Sequence, residues 1–342
     1  MKRLLCGLLL LSMLLSGCAT GQGTAEQKQY NATFLTLFDT VTTIVGKAEN
    51  KEEFQKTAQQ IHDSLLEYHQ LFDIYNDYDG VTGLKAVNDA AGQNPVQVDR
   101  RIIDLLLDCK RYYELTGGKV NPAMGSVLQL WHEARNDGIN DPVHAYLPDQ
   151  QALENAAQHT DFDCVVIDEA AGTVCITDPK VRLDVGAIAK GWSVQRVCEM
   201  APEGLLVSVG GNVCATGPKD PQGTPWVIGI QNPDGGSDYL HTVYLSRGSV
   251  VTSGDYQRAY RVGDQIYHHI IDPETLYPST YWRSVTIVCE DSGLADALST
   301  ALFLLPLEEG RELANKCGVD VMWVDSAGQI FYTAGFESVI RT

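Results

Sequence analysis

The sequence feature that most constrains the fold is a pair of histidines enclosed by apolar residues and followed by Asp-Pro. His268 and His269 lie between the apolar pairs 266–267 and 270–271, and Asp-Pro follows at 272–273. Apolar residues around a polar pair predict a strand, and Asp-Pro predicts the turn that closes it. Adjacent side chains of a strand point to opposite faces. We therefore expect one histidine to face the core and the other to face a cleft.

Residues 1–17 are predicted to be a lipoprotein signal peptide. Two basic residues precede an apolar run, 4–15, which is too short to span a bilayer comfortably. The sequence Leu-Ser-Gly-Cys at 15–18 matches the lipobox of bacterial lipoproteins. This match predicts cleavage before Cys18 and a lipid on that residue. The alternative is an ordinary signal peptide with a chance cysteine.

Residues 18–31 are predicted to be a flexible tether, because glycine and polar residues dominate the stretch. The folded body is then 32–342, as one large domain or as two closely packed ones. A lipid anchor followed by a tether predicts that this body lies on the extracytoplasmic face of the cell membrane.

The chain is strongly acidic, with a formal net charge of −19. Nucleic acid is therefore not an expected partner, because phosphate backbones require a basic surface. A ligand that carries phosphate needs local compensation by a metal ion, a lysine or a helix N-terminus.

The nine cysteines form no CxxC pair. They are expected to be mainly buried apolar residues, with one disulfide as the alternative, and they predict no metal–thiolate site.

The periodicity of apolar residues predicts several helices and an α+β fold. Helical spacing occurs in Lys51–Phe72, Arg100–Thr116, Gly125–Trp131 and Gly293–Leu305. Ala134–Asp149 is polar and is expected to be a surface loop. Strands of an antiparallel sheet are predicted at 226–231, 239–245 and 250–256. These elements predict mixed, largely antiparallel sheets with packed helices and a ligand cleft between two lobes.

A loop rich in tyrosine and aspartate is predicted at 73–88. Either Tyr75 or Tyr78 is expected to stack on a planar ligand. The alternating Asp and Asn residues also suggest a calcium loop, but the glutamate and the helix that such a loop requires are missing.

The segment Arg182–Trp192, RLDVGAIAKGW, is the densest in small residues. It predicts a strand that ends at Asp184, a glycine turn and a helix that carries Lys190. Backbone N–H groups at a helix start favour an anion, and Lys190 can add a positive charge. A tight strand–helix corner with an exposed Lys190 remains the alternative.

Two further segments offer polar groups to a ligand. The buried strand pattern of 205–217 is interrupted by Gly-Gly-Asn at 210–212, which predicts a bulge or a close approach of a ligand. In the strand-to-turn segment that follows later, Thr252, Ser253 and the Gly254 amide are candidates for holding polar ligand atoms.

Asp296 and Thr300 lie four residues apart in the predicted helix Gly293–Leu305 and therefore share one face. Hard oxygen ligands at this spacing suit Mg²⁺, which binds one or two carboxylates together with phosphate and water. The alternative is an aspartate near the helix start and a threonine that bonds back to a helix carbonyl.

In combination and in this order, the motifs LDVGAIAKGW, VSVGGNV, VTSGDYQR with YHHIIDPET, and LADALSTALF resemble those of the ApbE family of FAD:protein FMN transferases. The resemblance covers nearly all of the chain after the tether. It implies an ApbE-like two-lobed body, FAD as substrate, Mg²⁺ as cofactor, and His269 at the chemistry with His268 structural. It implies magnesium ligands at Asp296, Thr300 and the Ala187 carbonyl. The implied FAD contacts are Asp39, Thr40, Tyr75 or Tyr78, Lys119, Val120, Asn121, Asp184, Lys190, Ser253, Gly254 and Ile270.

The reaction that the resemblance implies joins FMN, taken from FAD, to a Ser or Thr of an acceptor protein and releases AMP. The acceptor class is an exported protein with a D-G-x-T-G-A-T-like site, such as a membrane redox subunit. Two alternatives remain: hydrolysis of FAD to FMN and AMP, and a lipoprotein that binds FAD without chemistry.

The chain departs from the pattern of the resembled family at three places. It has Val120-Asn121 where the family commonly has Phe-Asp, Leu276 where it usually has glycine, and Phe38-Asp39-Thr40 where it has Met-Gly-Thr. We interpret these departures as tuning of the FAD pocket.

Overall fold

The computed structural model describes residues 28–341, so the predicted signal peptide and Cys18 lie outside the described residues. The helices are α1 (Lys51–Phe72), α2 (Leu84–Asp89), α3 (Arg100–Leu115), α4 (Gly125–Asn140), α5 (Gln150–Ala157), α6 (Ala189–Met200), α7 (Ser292–Phe303), α8 (Leu307–Cys317) and α9 (Ala334–Val339). The first strands are β1 (Lys28–Phe34), β2 (Thr42–Ala48), β3 (Val96–Gln97), β4 (Val165–Asp168), β5 (Thr173–Ile176), β6 (Leu205–Val209) and β7 (Asn212–Ala215). The others are β8 (Trp226–Gln231), β9 (Tyr239–Leu245), β10 (Gly248–Gly254), β11 (Ala259–Val262), β12 (Gln265–His268), β13 (Trp282–Cys289), β14 (Asp320–Asp325) and β15 (Ile330–Tyr332).

The central element is an eight-stranded antiparallel sheet in the order β1-β2-β6-β7-β10-β13-β14-β15. A three-stranded sheet, β3-β5-β4, and the hairpins β8–β9 and β11–β12 are separate from it. Helices α6 and α7 pack against each other and against strands of the large sheet. The predicted α+β class with largely antiparallel sheets is confirmed.

The helix α1 illustrates how the sequence produces these elements. Its N-cap residue Asn50 accepts a hydrogen bond from the Glu53 N–H at 2.9 Å. Its buried residues recur at helical spacing and form one apolar stripe: Phe54, Ala58, Ile61, Leu65, Tyr68, Leu71 and Phe72. The boundaries predicted for this helix agree with the structure.

The strand β1 begins earlier than expected. Residues 28–31, predicted as the end of the tether, pair in register with β2, from Lys28 opposite Ala48 to Asn31 opposite Val45. Their backbone groups are therefore part of the sheet, and the boundary of the predicted tether moves to before Lys28. Among residues 28–341, the structure contains no helix with the length and apolarity needed to cross a membrane.

Two local predictions were wrong, and a third is narrowed to one of its two alternatives, because Gly210 and Gly211 form no bulge but line a cleft. The helix α4 continues through the predicted loop to Asn140, because Ala134 and Gly138 extend its buried face. Residues 182–184 are not a strand: they meet the start of α4 through a single bridge, Met124 to Arg182. The Gly-Gly at 210–211 forms a turn with positive φ angles of 52° and 93°, which joins β6 to β7 in a hairpin.

All seven cysteines in the described part of the chain are free thiols. Cys109, Cys198 and Cys214 are buried, and the other four are partly buried. The expectation that the cysteines are mainly buried therefore holds for three of the seven.

Candidate active site

A cleft of about 820 Å³ lies where α4, α6 and α7 meet the loop between β1 and β2 and the segment that follows β12. This volume is at the upper end of the range for small-molecule sites. Nearly all of the residues that the sequence pattern assigned to a site line this one cleft. They are Asp39, Thr40, Tyr75, Lys119, Val120, Asn121, Asp184, Ala187, Lys190, Ser253, His269, Ile270, Asp296 and Thr300.

Two of the predicted contacts do not line the cleft. The Tyr78 hydroxyl donates a hydrogen bond to Asp73 at 2.6 Å and lies 3.2 Å from a ring nitrogen of His69. Gly254 pairs with Ser284 in the large sheet, and the Tyr256 ring lies against it. Between the two candidate tyrosines, the structure therefore brings only Tyr75 into the cleft.

Asp296 is a buried carboxylate of α7 whose partners come from the start of α6. The Gly191 N–H donates a hydrogen bond to its Oδ2 at 2.8 Å, and the Lys190 ammonium lies 3.7 Å from the same atom. Burial raises the pKa of Asp296, while the Lys190 charge and the Gly191 N–H lower it. Lys190 is the second residue of α6, so the charge that the sequence predicted sits at a helix N-terminus.

The residues around Asp296 fit a small, hard cation. Thr300, one turn further along α7, lines the same cleft. The Asn212 side-chain oxygen also lines it and is buried without a hydrogen-bond partner. In residues 28–341, no group of three or more His, Cys, Asp or Glu side chains is arranged for a metal. One carboxylate with neutral oxygens is the donor set of an ion that also binds substrate phosphates.

The contact between α6 and α7 requires glycine at position 191. A Cβ added there would overlap the Ser292 carbonyl oxygen and the Asp296 Cβ. We expect Gly191→Ala to lower the free energy of unfolding by about 1–3 kcal/mol, because overpacking forces two helices apart. Chemical denaturation measures this change. Gly310→Ala in α8 is the control: its added Cβ meets nothing closer than 3.4 Å, so equal losses in both variants would contradict the prediction.

The two histidines differ in their surroundings. His268, the last residue of β12, is buried, and both of its ring nitrogens are bonded within the protein. Its Nε2–H donates to the Ser279 carbonyl at 2.8 Å, and its Nδ1 accepts from the Ile270 N–H at 3.2 Å. These bonds fix one neutral tautomer. His269 lies one residue beyond the strand, lines the cleft, and has a buried Nδ1 without a hydrogen-bond partner.

Burial lowers the pKa of His269 to about 3, and the charges of Arg258 and Lys190 add to the effect. Because the unfolded chain binds a proton below a pH of roughly 6.5 and the folded site does not, stability falls as the pH drops from 6.5 towards 3. Between pH 7.5 and 5.5 we expect ligand-free wild type to lose about 1 kcal/mol more than His269→Gln. Urea denaturation at both pH values measures this difference. His144→Gln, which changes an exposed imidazole, is expected to behave as wild type does, and equal losses in all three proteins would contradict the assignment.

Lys119 is held at the cleft wall by two carboxylates. Its ammonium lies 3.2 Å from buried Asp272 and 2.8 Å from Glu274. Asp272 also accepts the Glu274 N–H at 2.9 Å. The hydrogen bonds of Asp272 therefore position Lys119 and close the turn after β12.

Two departures from the resembled family's pattern fall on strained backbone. Asp39 and Leu276 have φ angles of 54° and 63°, in the left-handed region where glycine is favoured. These are the positions where the family usually has glycine. Leu276 is buried beside Trp131, whose indole N–H donates to the Leu276 carbonyl at 2.9 Å. Packing therefore stabilises the strained conformation at Leu276.

Sequence reasoning missed three basic residues of the cleft: His132 and Arg135 on α4, and Arg258 before β11. Arg135 was hidden because its segment was predicted as a loop. If the helix had been predicted to continue beyond Trp131, the spacing of three residues between His132 and Arg135 would have placed both side chains on one face.

The comparisons with known proteins identify the family. A model of the ApbE family matches residues 38–323. The chain belongs to the ApbE family. It is 32% identical over 347 aligned positions to an FAD:protein FMN transferase of Treponema pallidum, which covers 96% of this chain and 93% of that protein. A second FAD:protein FMN transferase, from Klebsiella pneumoniae, is 31% identical over 245 positions, covering 70% and 73% of the two chains.

Solved ApbE structures have the same fold. The crystal structure of an ApbE protein from Thermotoga maritima superposes with a TM-score of 0.80 at 31% identity, covering 92% of this chain and all of that one. The flavin transferase ApbE from Vibrio cholerae gives a TM-score of 0.75 at 22% identity, covering 92% of this chain and 99% of that one. The family membership that the motifs predicted is therefore confirmed.

Proposed function

We propose that this member of the ApbE family is an FAD:protein FMN transferase. It takes FMN from FAD, joins it to a Ser or Thr hydroxyl of an acceptor protein and releases AMP. The observation that carries the proposal is the composition of one wall of the cleft. Lys190 and Asp296 lie 3.7 Å apart there, with His269 and Thr300 in the same cleft. Two relatives above 30% identity carry the name of this activity.

In this reaction the acceptor oxygen forms a bond to the phosphorus of the FMN half of FAD. The bond between that phosphorus and the bridging oxygen breaks, and the bridging oxygen leaves with AMP. The hydroxyl proton passes to the Nδ1 or Nε2 of His269, which is neutral near pH 7 because burial lowers its pKa. Lys190, at the N-terminus of α6, counters the negative charge that moves to the leaving phosphate.

Mg²⁺ is proposed as the cofactor, held by Asp296, Thr300 and the Ala187 carbonyl, with the Asn212 oxygen as a further donor. When bound, the ion supplies Lewis-acid neutralisation of the diphosphate. Without it, Lys190 is the nearest positive group to the buried Asp296 carboxylate. The chain's own contribution is to hold this carboxylate rigidly, through the Gly191 N–H, in a part of the site that water reaches poorly.

The protein is further proposed to act outside the cytoplasm as a lipoprotein anchored through Cys18. The support is the signal-like sequence of residues 1–17 and the lipobox at 15–18. An acceptor that meets such an enzyme is an exported flavin domain, such as a membrane redox subunit.

The test is an incubation of the folded body with FAD, MgCl₂ and an acceptor that carries a D-G-x-T-G-A-T-like site. Transfer gives in-gel flavin fluorescence on the acceptor and one AMP per labelled chain. An acceptor with its Thr changed to Ala is the control. FMN and AMP without labelling would indicate hydrolysis instead, and FAD binding without turnover would leave a binding protein. Either result contradicts the proposal.

A further inference from the structure

The cleft contains two arginines that the proposed chemistry does not use. Arg135 of α4 and Arg258 before β11 both line it. Arg135 Nη2 lies 2.8 Å from the His132 Nδ1, and Arg258 Nη2 donates to the Phe38 carbonyl at 3.4 Å. In residues 28–341, no carboxylate oxygen lies within 4.0 Å of either guanidinium. Burial and the Arg258 charge lower the pKa of Arg135. Keeping both arginines charged in the cleft therefore costs free energy, which the hydrogen bonds of a ligand would offset.

A stacked aromatic pair lies beside these arginines. The rings of Tyr75 and His132 are 4.9 Å apart at an angle of 21°, and half of Tyr75 remains exposed. Burial lowers the pKa of His132, and the Arg135 charge adds to the effect, so the imidazole is neutral. Its Nδ1 therefore accepts a hydrogen bond from Arg135, which fixes the direction of that guanidinium. A planar ligand that extended the stack would lie next to an oriented guanidinium.

The arginines and Lys190 contact different groups in the cleft. The Lys190 ammonium lies 3.7 Å from Asp296 of α7, whereas Arg135 contacts His132 of α4, whose ring stacks on Tyr75. Arg258 contacts the Phe38 carbonyl. Lys190 and Asp296 thus form the group suited to the diphosphate, and the two arginines and the stacked pair are a second set of groups in the same cleft.

We propose that Arg135 and Arg258 form a specificity subsite for the flavin ring, in which their N–H groups donate to the carbonyl oxygens and ring nitrogens of its pyrimidine edge. This inference rests on the proposed function for the identity of the ligand. A guanidinium is planar and has paired donors, so it matches a planar edge with neighbouring acceptors better than an ammonium does. His132 is a positioning residue in this subsite, since it acts through Arg135.

The test measures binding to the folded body of three probes that separate the ring from the diphosphate. Riboflavin carries the ring without phosphate, ADP carries the diphosphate without the ring, and FAD carries both. We expect Arg135→Gln to weaken riboflavin and FAD binding roughly tenfold, since a charged hydrogen bond contributes about 1.5 kcal/mol, and to leave ADP binding within about twofold. Arg135→Lys, which keeps the charge without the fork, is expected to weaken riboflavin binding by a similar factor.

Arg261→Gln is the charge-matched control, because it removes one guanidinium from an exposed position of β11, where Arg261 donates a hydrogen bond to the Asp264 carbonyl at 3.1 Å. Weaker ADP binding with unchanged riboflavin binding would assign Arg135 to phosphate and overturn the proposal. Unchanged binding of all probes, or wild type that binds ADP but not riboflavin, would also overturn it. Wild type that binds riboflavin through Arg135 but labels no acceptor would keep the subsite and overturn the proposed function instead.

Discussion

The variant His269→Ala is expected to transfer FMN roughly 10²- to 10⁴-fold more slowly than wild type, which is the usual contribution of a general base. FAD binding is expected to stay within about threefold. The reason is the position of the imidazole: it lines the cleft, and within residues 28–341 its buried Nδ1 has no hydrogen-bond partner. Single-turnover labelling of the acceptor measures the rate, and quenching of flavin fluorescence measures FAD affinity.

The neighbouring histidine supplies the contrast for this experiment. His268 bonds the Ser279 carbonyl and the Ile270 N–H, so His268→Ala is expected to lower stability more than His269→Ala does. His144→Ala, in which an exposed imidazole is lost, is expected to change neither rate nor stability. Loss of FAD binding in His269→Ala would give this residue a structural role, and transfer within threefold of wild type would remove it from the chemistry.

The low pKa of His269 limits its strength as a base in the ligand-free protein. A base with a pKa of about 3 accepts a proton poorly; burial is the main cause of this low pKa, and the charges of Arg258, Lys190 and Arg135 add to it. A bound diphosphate offsets their charge and therefore raises the pKa of His269. We therefore propose that bound substrate makes the imidazole a stronger base than it is in the ligand-free site.

The sequence predicted those parts of the site that depend on patterns within a single helix or strand. The helix Ser292–Phe303 was predictable from its apolar periodicity, and the four-residue spacing of Asp296 and Thr300 then placed them on one face. The proximity of Asp296 and Thr300 to Lys190 could not be predicted from such a pattern. It depends on Gly191 packing against α7, a contact between segments about a hundred residues apart that periodicity does not encode. Only the family resemblance predicted it.

The sequence did not predict those parts of the site that depend on tertiary contacts. The polar residues after Trp131 predicted a loop, but buried Ala134 and Gly138 pack the helix onward to Asn140, which brings Arg135 into the cleft. Tyr75 and Tyr78 are equivalent by sequence. They differ because the Tyr78 hydroxyl bonds Asp73, which leaves Tyr75 to the cleft. In both cases tertiary contacts, and not local sequence propensity, determine which residue reaches the cleft.

Asp296→Ala is expected to abolish both FMN transfer and its dependence on Mg²⁺, because it removes the only carboxylate among the proposed ligands. Magnesium needs at least one such oxygen when phosphate and water fill its other positions. Since removing one electrostatic stabiliser of a transition state costs roughly 10²–10³ in rate, and the ion is lost with it, we expect at least that decrease. The measurement is transfer rate and FAD affinity, each with MgCl₂ and with a chelator.

The matched control is Asp291→Asn, at the N-cap of the same helix, where Oδ1 accepts the Leu294 N–H at 2.8 Å. An asparagine keeps the cap, so stability and metal dependence are expected to match wild type. Thr300→Val, which retains the shape but removes the hydroxyl, is expected to weaken metal dependence without eliminating it. If Asp296→Ala kept full activity, or if chelation affected it as it affects wild type, the ion would have to bind elsewhere. The buried Asp296 would then serve only as the counter-charge that holds Lys190 at the N-terminus of α6.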